Sequence, residues 1–348
     1  MAELLKKCSR LRNRFHLSFV IAYLYDEIEY MRLTQPLRVG MHSSIAGGLV
    51  NAVKSATEKC SDCLQIFARN PRGWLARPLT REEISQFRSA REKAGLWPLA
   101  VHSAYLINLA ATDPVFLARS REAFQEEIKR SIELGADYLV VHPGCAGAVG
   151  TEAGIATAVA SVRECATGLR LRGTGASVAE AGRKNGLTIL IENTAGQGSS
   201  IGCSFEQIEQ LLLMLNDLPV DVCLDTAHTF ASGYDISSEK GLRATIKTID
   251  KTFGFNRIKL VHCNDSKVPL NSRVDRHQHI GMGNIGNEGF RRITHNLKFR
   301  KVPFILETPV DKERDYAWNL RQIRALAVVN ERVSTAARDS KMIAKNLV

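Results

Sequence analysis

From residue 38 onward the chain alternates between two hydrophobic patterns. Short continuous runs rich in Val, Ile and Leu fall at residues 38–42, 62–67, 99–103, 138–142, 188–192, 220–225, 258–263 and 303–307. Uninterrupted apolar runs of this length suit parallel strands buried on both faces. Between them lie amphipathic stretches such as REEISQFRSAREKAG and SREAFQEEIKRSIELGA. In the second, Phe124, Ile128, Ile132 and Leu134 recur at roughly helical spacing, and Gly135 follows as a helix-ending residue. Eight such alternations in about three hundred residues predict an α/β fold, a (β/α)8 TIM barrel in a single domain.

A doubly wound sheet is the alternative architecture. The polar residues decide between the two. The strand-like runs end on His42, His102, His142, Glu192, Asp225 with His228, His262 and Glu307. A buried strand gains nothing from an imidazole or carboxylate at its end unless that group has a partner. A doubly wound sheet clusters such residues at one switch point, whereas a barrel gathers every strand end around one mouth.

Imidazoles mixed with carboxylates suit zinc and related transition metals; carboxylates alone suit magnesium or calcium. Asp225 and His228 are three apart, so both can face inward as the strand turns out of the barrel. Asp275 and His277 are two apart in a loop, where extended backbone points both side chains the same way. Glu192 and Glu307 bring carboxylates able to bridge two ions. A lone histidine at a strand end is more often a hydrogen-bonded core residue, but the joint pattern argues for a metal site.

Composition changes this picture in two ways. The chain of 348 residues, 45% hydrophobic and 24% charged, has the make-up of a soluble globular protein. Its formal charge of +11 attracts polyanions, nucleic acid being the commonest, although a merely basic enzyme fits charge alone equally well. The eight cysteines are scattered in or beside apolar runs, which suits reduced, buried thiols in a cytoplasmic protein. Cys60 and Cys63 form a lone C-x-x-C where a helix hands over to a strand, so packing is the better reading than a zinc knuckle. Gly281, Gly283 and Gly286 spell a dinucleotide fingerprint, but a polar loop precedes them instead of a strand. The RGTGAS stretch lacks the Gly-Lys-Ser/Thr ending of a phosphate loop.

The chain divides into an N-terminal extension (1–37), the barrel (38–330) and a basic C-terminal tail (331–348). In the extension, Lys6, Lys7, Arg10, Arg12 and Arg14 precede the apolar residues 15–25, in the outline of a targeting peptide. That run is too short to span a bilayer, and no A-x-A cleavage site follows. Organellar or nuclear targeting stays open. Residues 165–186 read as a helix followed by a surface loop.

With these residues in view, the sequence from about 38 to 327 resembles the endonuclease IV family of zinc-dependent apurinic/apyrimidinic endonucleases. The matching stretches, in order, are GMHSSIAGGL, NPRGW, HSAYLINLA, VVHPG, IENTAGQGS, LDTAHTFASGYD, HCNDSK, SRVDRHQHIGMGNIG and ILET. The resemblance implies three zinc ions per chain. It gives His102 and His142 to one ion, with Glu192 bridging to a second completed by Asp225, His262 and Glu307. It gives His228, Asp275 and His277 to the third. Glu192, His142 and Asp225 are the candidate catalytic groups, and His42 matches a residue near the metals but not among their ligands. Arg72, Tyr105 and Leu106 match residues that enter duplex DNA at the damaged nucleotide.

The implied partner is duplex DNA containing abasic sites or blocked 3′ ends, with no membrane, a monomeric state and a nucleoid-associated place in the cytoplasm. Two positions depart from the family pattern: Ala227, where many relatives have cysteine, and Asn271, where relatives often have glycine. His279 is an additional histidine beside the third-metal loop, read as solvated or hydrogen-bonded. A sugar isomerase or epimerase on a related metal-dependent barrel is the main rival, and a non-catalytic damage-binding module the second.

Overall fold

A computed structural model describes residues 35–169 and 186–328. Eight parallel strands close into a barrel: β1 Val39–Ser43, β2 Leu64–Phe67, β3 Leu99–His102, β4 Tyr138–Val141, β5 Thr188–Glu192, β6 Val220–Asp225, β7 Ile258–His262 and β10 Phe304–Leu306. The remaining pair, β8 Asp265–Ser266 and β9 His277–Gln278, forms a short antiparallel ladder in the connection after β7. The first strand pairs with both the second and the last, which closes the ring. These eight strands are the eight apolar runs of the sequence, with ends displaced by no more than two residues.

The helices are α1 Leu49–Glu58, α2 Arg81–Ala94, α3 Pro114–Leu134, α4 Thr151–Ala166, α5 Phe205–Met214, α6 Thr226–Ala231, α7 Glu239–Lys251, α8 Gly286–His295 and α9 Tyr316–Leu326. Local chemistry sets their ends. Thr80 and Glu83 form a reciprocal capping box at the start of α2. Asp113 accepts from the Phe116 N–H at the start of α3, Pro114 follows it, and Gly135 ends the helix in the left-handed conformation at φ 69°.

Two apolar layers hold the barrel. Inside the ring, Cys63, Ala100, Tyr138, Val140, Leu190, Cys223, Leu260 and Ile305 form one buried cluster. Outside it, Phe87, Phe124, Ile128, Phe205, Phe290, Ile293, Leu320 and Ile323 turn from the helices onto the strands, fully or almost fully buried. Each such side chain contributes roughly 1.5–3 kcal/mol by leaving water. Cys63 belongs to the inner layer, its thiol 3.4 Å from the Phe304 carbonyl, while Cys60 is exposed just after α1 with φ 58°. The C-x-x-C is therefore a packing and turn feature, as its position suggested.

Among the described residues no helix is long and apolar enough to cross a membrane. The targeting-like segment, the C-terminal tail, RGTGAS and most of the loop expected after the fourth helix lie outside the described residues.

Candidate metal centre at the barrel mouth

Closure of the barrel brings the anticipated histidines and acids to one end. His102 ends β3, Glu192 ends β5, Asp225 ends β6 and His262 ends β7. His142 and Glu307 come one residue after β4 and β10, and His277 opens β9. His228 reaches the site by a different route. The strand β6 turns directly into α6, whose N-cap is Asp225, and the Asp225 carboxylate accepts from the His228 N–H at 2.7 Å. One helical turn then points both side chains into the mouth.

Glu192 is at the centre. Its Oε2 lies 3.2 Å from His102 Nε2 and 3.5 Å from His142 Nε2. Its Oε1 lies 2.9 Å from His262 Nδ1 and 3.4 Å from His228 Nδ1. Glu307 Oε2 lies 3.3 Å from the same His262 nitrogen. On the other side, Asp275 Oδ2 is 3.2 Å from His228 Nε2, Asp275 Oδ1 is 3.4 Å from His277 Nε2, and Asp225 Oδ2 is 3.6 Å from His277 Nε2.

The donor atoms fall into metal-sized groups within 4.8 Å of one another: His102, His142 and Glu192; Glu192, Asp225, His262 and Glu307; and Asp225, His228 and His277. His102, His262 and Glu307 make another such group, so the carboxylates Glu192, Asp225 and Glu307 are each shared between groups, as a bridging carboxylate would be. A further grouping includes Cys223, whose thiol is pushed up to about 12 by burial and stays protonated.

Hydrogen bonds on the far side of each ring fix which nitrogen faces inward. His102 Nδ1 is 2.7 Å from the Ser103 carbonyl, so it carries the proton and Nε2 turns a lone pair toward Glu192. His228 Nδ1 donates in the same way to the Asn193 carbonyl at 2.9 Å, and His277 Nδ1 to the Glu307 carbonyl at 3.3 Å. His262 is reversed: its Nε2–H donates to Gln65 Oε1 at 2.9 Å and Nδ1 faces Glu192 and Glu307. The inward nitrogens His228 Nε2 and His277 Nε2 are buried and have no hydrogen-bond partner, despite the nearby Asp275 oxygens. A lone pair facing a carboxylate needs a cation between them, and the residues present fit a metal on this ground.

Without the cation, protons take its place. Burial works against charge on His228 and His262, but the acids Asp225, Asp275 and Glu192 beside His228, and Glu192 and Glu307 beside His262, outweigh it and hold both rings well above the ordinary imidazole value. Glu192, which burial alone would push up, is held well below the carboxylate range by His262, His142, His102 and His228.

The sequence did not single out the supporting amides. Gln65, fully buried in β2, accepts from His262 and donates to Glu307 Oε1 at 2.6 Å. Asn264 donates to Asp225 Oδ2 at 2.7 Å and accepts from the Glu307 N–H at 2.8 Å. Asn193 accepts from the Asp225 N–H at 2.7 Å. A fully polar amide inside the apolar run LQIF was the available signal for Gln65. His42 lies 3.0 Å from Glu307 Oε1, beside the cluster.

His279 turns to Asp311 and Asn319, each at 3.0 Å, and is hydrogen-bonded as anticipated. The glycine fingerprint has a different occupant: Asp265 takes the N–H groups of Gly283, Ile285 and Gly286, filling the nest a phosphate would need. Asn271 has φ 62°, in the left-handed region that favours glycine. Arg72 and Tyr105 are exposed on the loops after β2 and β3, and Leu106 is half-buried beside Tyr105. Phe67 packs against Tyr105, His102 and His42, so these loops border the cluster.

Residues 61–326 match the family model described as a xylose isomerase-like TIM barrel. The chain is 42% identical to the probable endonuclease 4 of Solibacter usitatus (strain Ellin6076), over 84% of this chain and 97% of that one. It is 39% identical to the probable endonuclease 4 of Chloroflexus aurantiacus (strain ATCC 29366 / DSM 635 / J-10-fl), over 83% and 98%. The solved endonuclease IV from Thermus thermophilus superposes with a TM-score of 0.70 at 35% identity, covering 83% of this chain and 98% of that one. Within the isomerase-like barrels, the chain belongs to the endonuclease IV family.

Proposed function

We propose that this chain is a zinc-dependent DNA repair endonuclease that hydrolyses the phosphodiester 5′ to abasic sites in duplex DNA and trims blocked 3′ ends. The observation that carries the reading is the meeting of eight imidazole and carboxylate side chains in metal-sized groups at one barrel mouth, with Asp275 beside His228 and His277, whose buried Nε2 atoms have no hydrogen-bond partner. The mixture of donors favours zinc over magnesium or calcium. His102, His142 and Glu192 would hold one ion; Glu192, Asp225, His262 and Glu307 a second; His228, Asp275 and His277 a third. When bound, zinc supplies Lewis acidity and water that ionises near neutral pH.

The chain's own residues do the rest. Glu192, His142 and Asp225 face the reacting phosphate, and His142 keeps about a third of its side chain open to the mouth. Water oxygen attacks phosphorus and the bond to the 3′ oxygen breaks, leaving a 3′-hydroxyl and a 5′-deoxyribose phosphate. Arg72, Tyr105 and Leu106 enter the duplex, where a planar cation and an aromatic ring wedge into the base stack. An abasic nucleotide has no base to unstack and leaves the helix at little cost, which is a physical source of selectivity. The net charge of +11 favours the phosphate backbone. Sugar isomerisation on a related barrel needs fewer metal ligands and no such loops, so the third ligand set argues against it. A monomer of one barrel domain over 38–330, working in the cytoplasm with the nucleoid, completes the reading.

End-group analysis tests it. A duplex with one abasic site, cut by the zinc-loaded protein, is expected to yield a 3′ end that a polymerase extends directly. An intact duplex, or a 3′ unsaturated-aldehyde end from sugar elimination, overturns the proposal.

A further inference from the structure

Arg69 and Glu127 are a buried ionisable pair joined by no hydrogen bond or ion pair to a candidate metal ligand; burial pushes the Glu127 carboxyl up to about 7, against the pull of Arg69, the Ala104 N–H and His102. Arg69 is on the loop that carries Arg72, and Glu127 is in α3; their side chains are 2% and 1% exposed. Arg69 Nε lies 3.3 Å from Glu127 Oε1, an ion pair without a hydrogen bond, since the buried Nε has no hydrogen-bond partner. Removing two charges from water costs more than their attraction usually returns, so such a pair is poor evidence of added stability. Its other contacts show what it joins. Arg69 Nη2 donates to the Gly73 carbonyl at 2.9 Å, one residue past Arg72. Both Glu127 oxygens accept from the Ala104 N–H, at 3.1 and 3.2 Å, one residue before Tyr105. Arg130, one turn along the same helix, ties the ends of the Arg72 loop by donating to the Ala68 carbonyl at 2.9 Å and the Arg77 carbonyl at 2.8 Å.

We propose that the buried Arg69–Glu127 pair is a positioning clamp that locks the Arg72 loop and the Tyr105–Leu106 loop into one spacing and so sets the preference for abasic over intact duplex. The inference rests on the function proposed above. Two wedges on separately mobile loops must be ordered at each encounter, and that ordering is subtracted from the binding free energy. Wedges tied through one ion pair to one helix are ordered beforehand. The clamp acts on recognition and leaves the chemical step alone.

The test uses the zinc-loaded double variant Arg69→Met/Glu127→Gln. It removes both charges together, so neither is left buried alone, and it keeps an amide oxygen for the Ala104 N–H. Incision of a duplex containing a tetrahydrofuran abasic analogue gives kcat and KM; intact duplex as competitor gives the inhibition constant. The clamp predicts a loss in kcat/KM on the order of 10–100-fold, carried by KM, while kcat, zinc per chain and the intact-duplex constant change by less than about twofold. The single variant Glu127→Gln, which leaves Arg69 unpaired, loses at least as much discrimination.

A parallel loss of both affinities, a fall in kcat at constant KM, or no change overturns the clamp. A wild-type protein that fails to cut abasic DNA sinks the proposed function instead. The clamp is then judged by fluorescence anisotropy, where equal abasic-over-intact preference in wild type and double variant refutes it.

Discussion

Glu192 lies within 3.5 Å of four imidazoles, on His102, His142, His228 and His262, and is 1% exposed. A neutral amide lacks the charge that a cation held among these imidazoles needs, so Glu192→Gln is expected to lose metal and cut abasic DNA more than about 100-fold slower, beyond what outer ligand partners usually carry. Metal analysis with single-turnover incision checks this; a variant as fast as wild type contradicts the assigned role. Gln65 makes the subtler case. It holds the His262 proton on Nε2, so Gln65→Leu frees the ring to flip and is expected to weaken zinc binding roughly 10–100-fold while the fold stays intact. Competition with a zinc chelator measures it. Histidines were legible in the sequence because an imidazole ending an apolar run is anomalous. Asn193 and Asn264 were not, because neutral amides are common at strand ends and turns; Gln65 left only the trace of one amide inside the apolar run LQIF, and closure of the barrel shows what each faces.

Elements differ in how openly they declared themselves. Parallel strands buried on both faces must be apolar throughout, and this made all eight visible within two residues. The short helix α6 was hidden, because six residues beginning at Thr226 carry no helical period; only Asp225 as N-cap marks it. The β8–β9 ladder was hidden as well, since two-residue strands carry no alternation. The loop from Gly283 to Gly286 shows how a motif misleads when its occupant is a side chain. Asp265 satisfies three N–H groups there, and Gly283 leaves no room for a Cβ, which would sit 2.4 Å from the Ser266 carbonyl. Asp265→Ala leaves those donors buried and is expected to cost about 1–3 kcal/mol, read as a lower denaturation midpoint. An unchanged midpoint contradicts this account of the loop.

At the scale of the whole molecule, the barrel strands and the segments that follow them bring chemically awkward side chains to one mouth, and their charges link stability to pH. In the metal-free protein burial disfavours charge on His102, His228 and His262, but facing acids outweigh it and raise all three above 6.5. Stability from these groups is complete below 6.5 and declines as pH rises through their raised values. His42 and His142, lowered chiefly by burial, change charge below 6.5 and do not offset that decline. The metal-free protein is therefore expected to melt at falling temperature as pH rises from about 6.5 toward 8, and zinc-loaded protein to lack this trend. Melting curves across that range check it; identical pH profiles for the two forms contradict it.

The barrel, and the histidines and acids that gather at its mouth, could be read from the chain. Which donor faces which, and how the loops carrying Arg72 and Tyr105 are tied to α3, depended on closure. The most direct measurement of the central claim follows incision while zinc is returned stepwise to chelated protein. Cutting of a single-abasic duplex should be absent without metal and rise with zinc bound per chain, at the phosphate 5′ to the lesion. Incision that persists in the chelated protein, or none after zinc is restored, contradicts it.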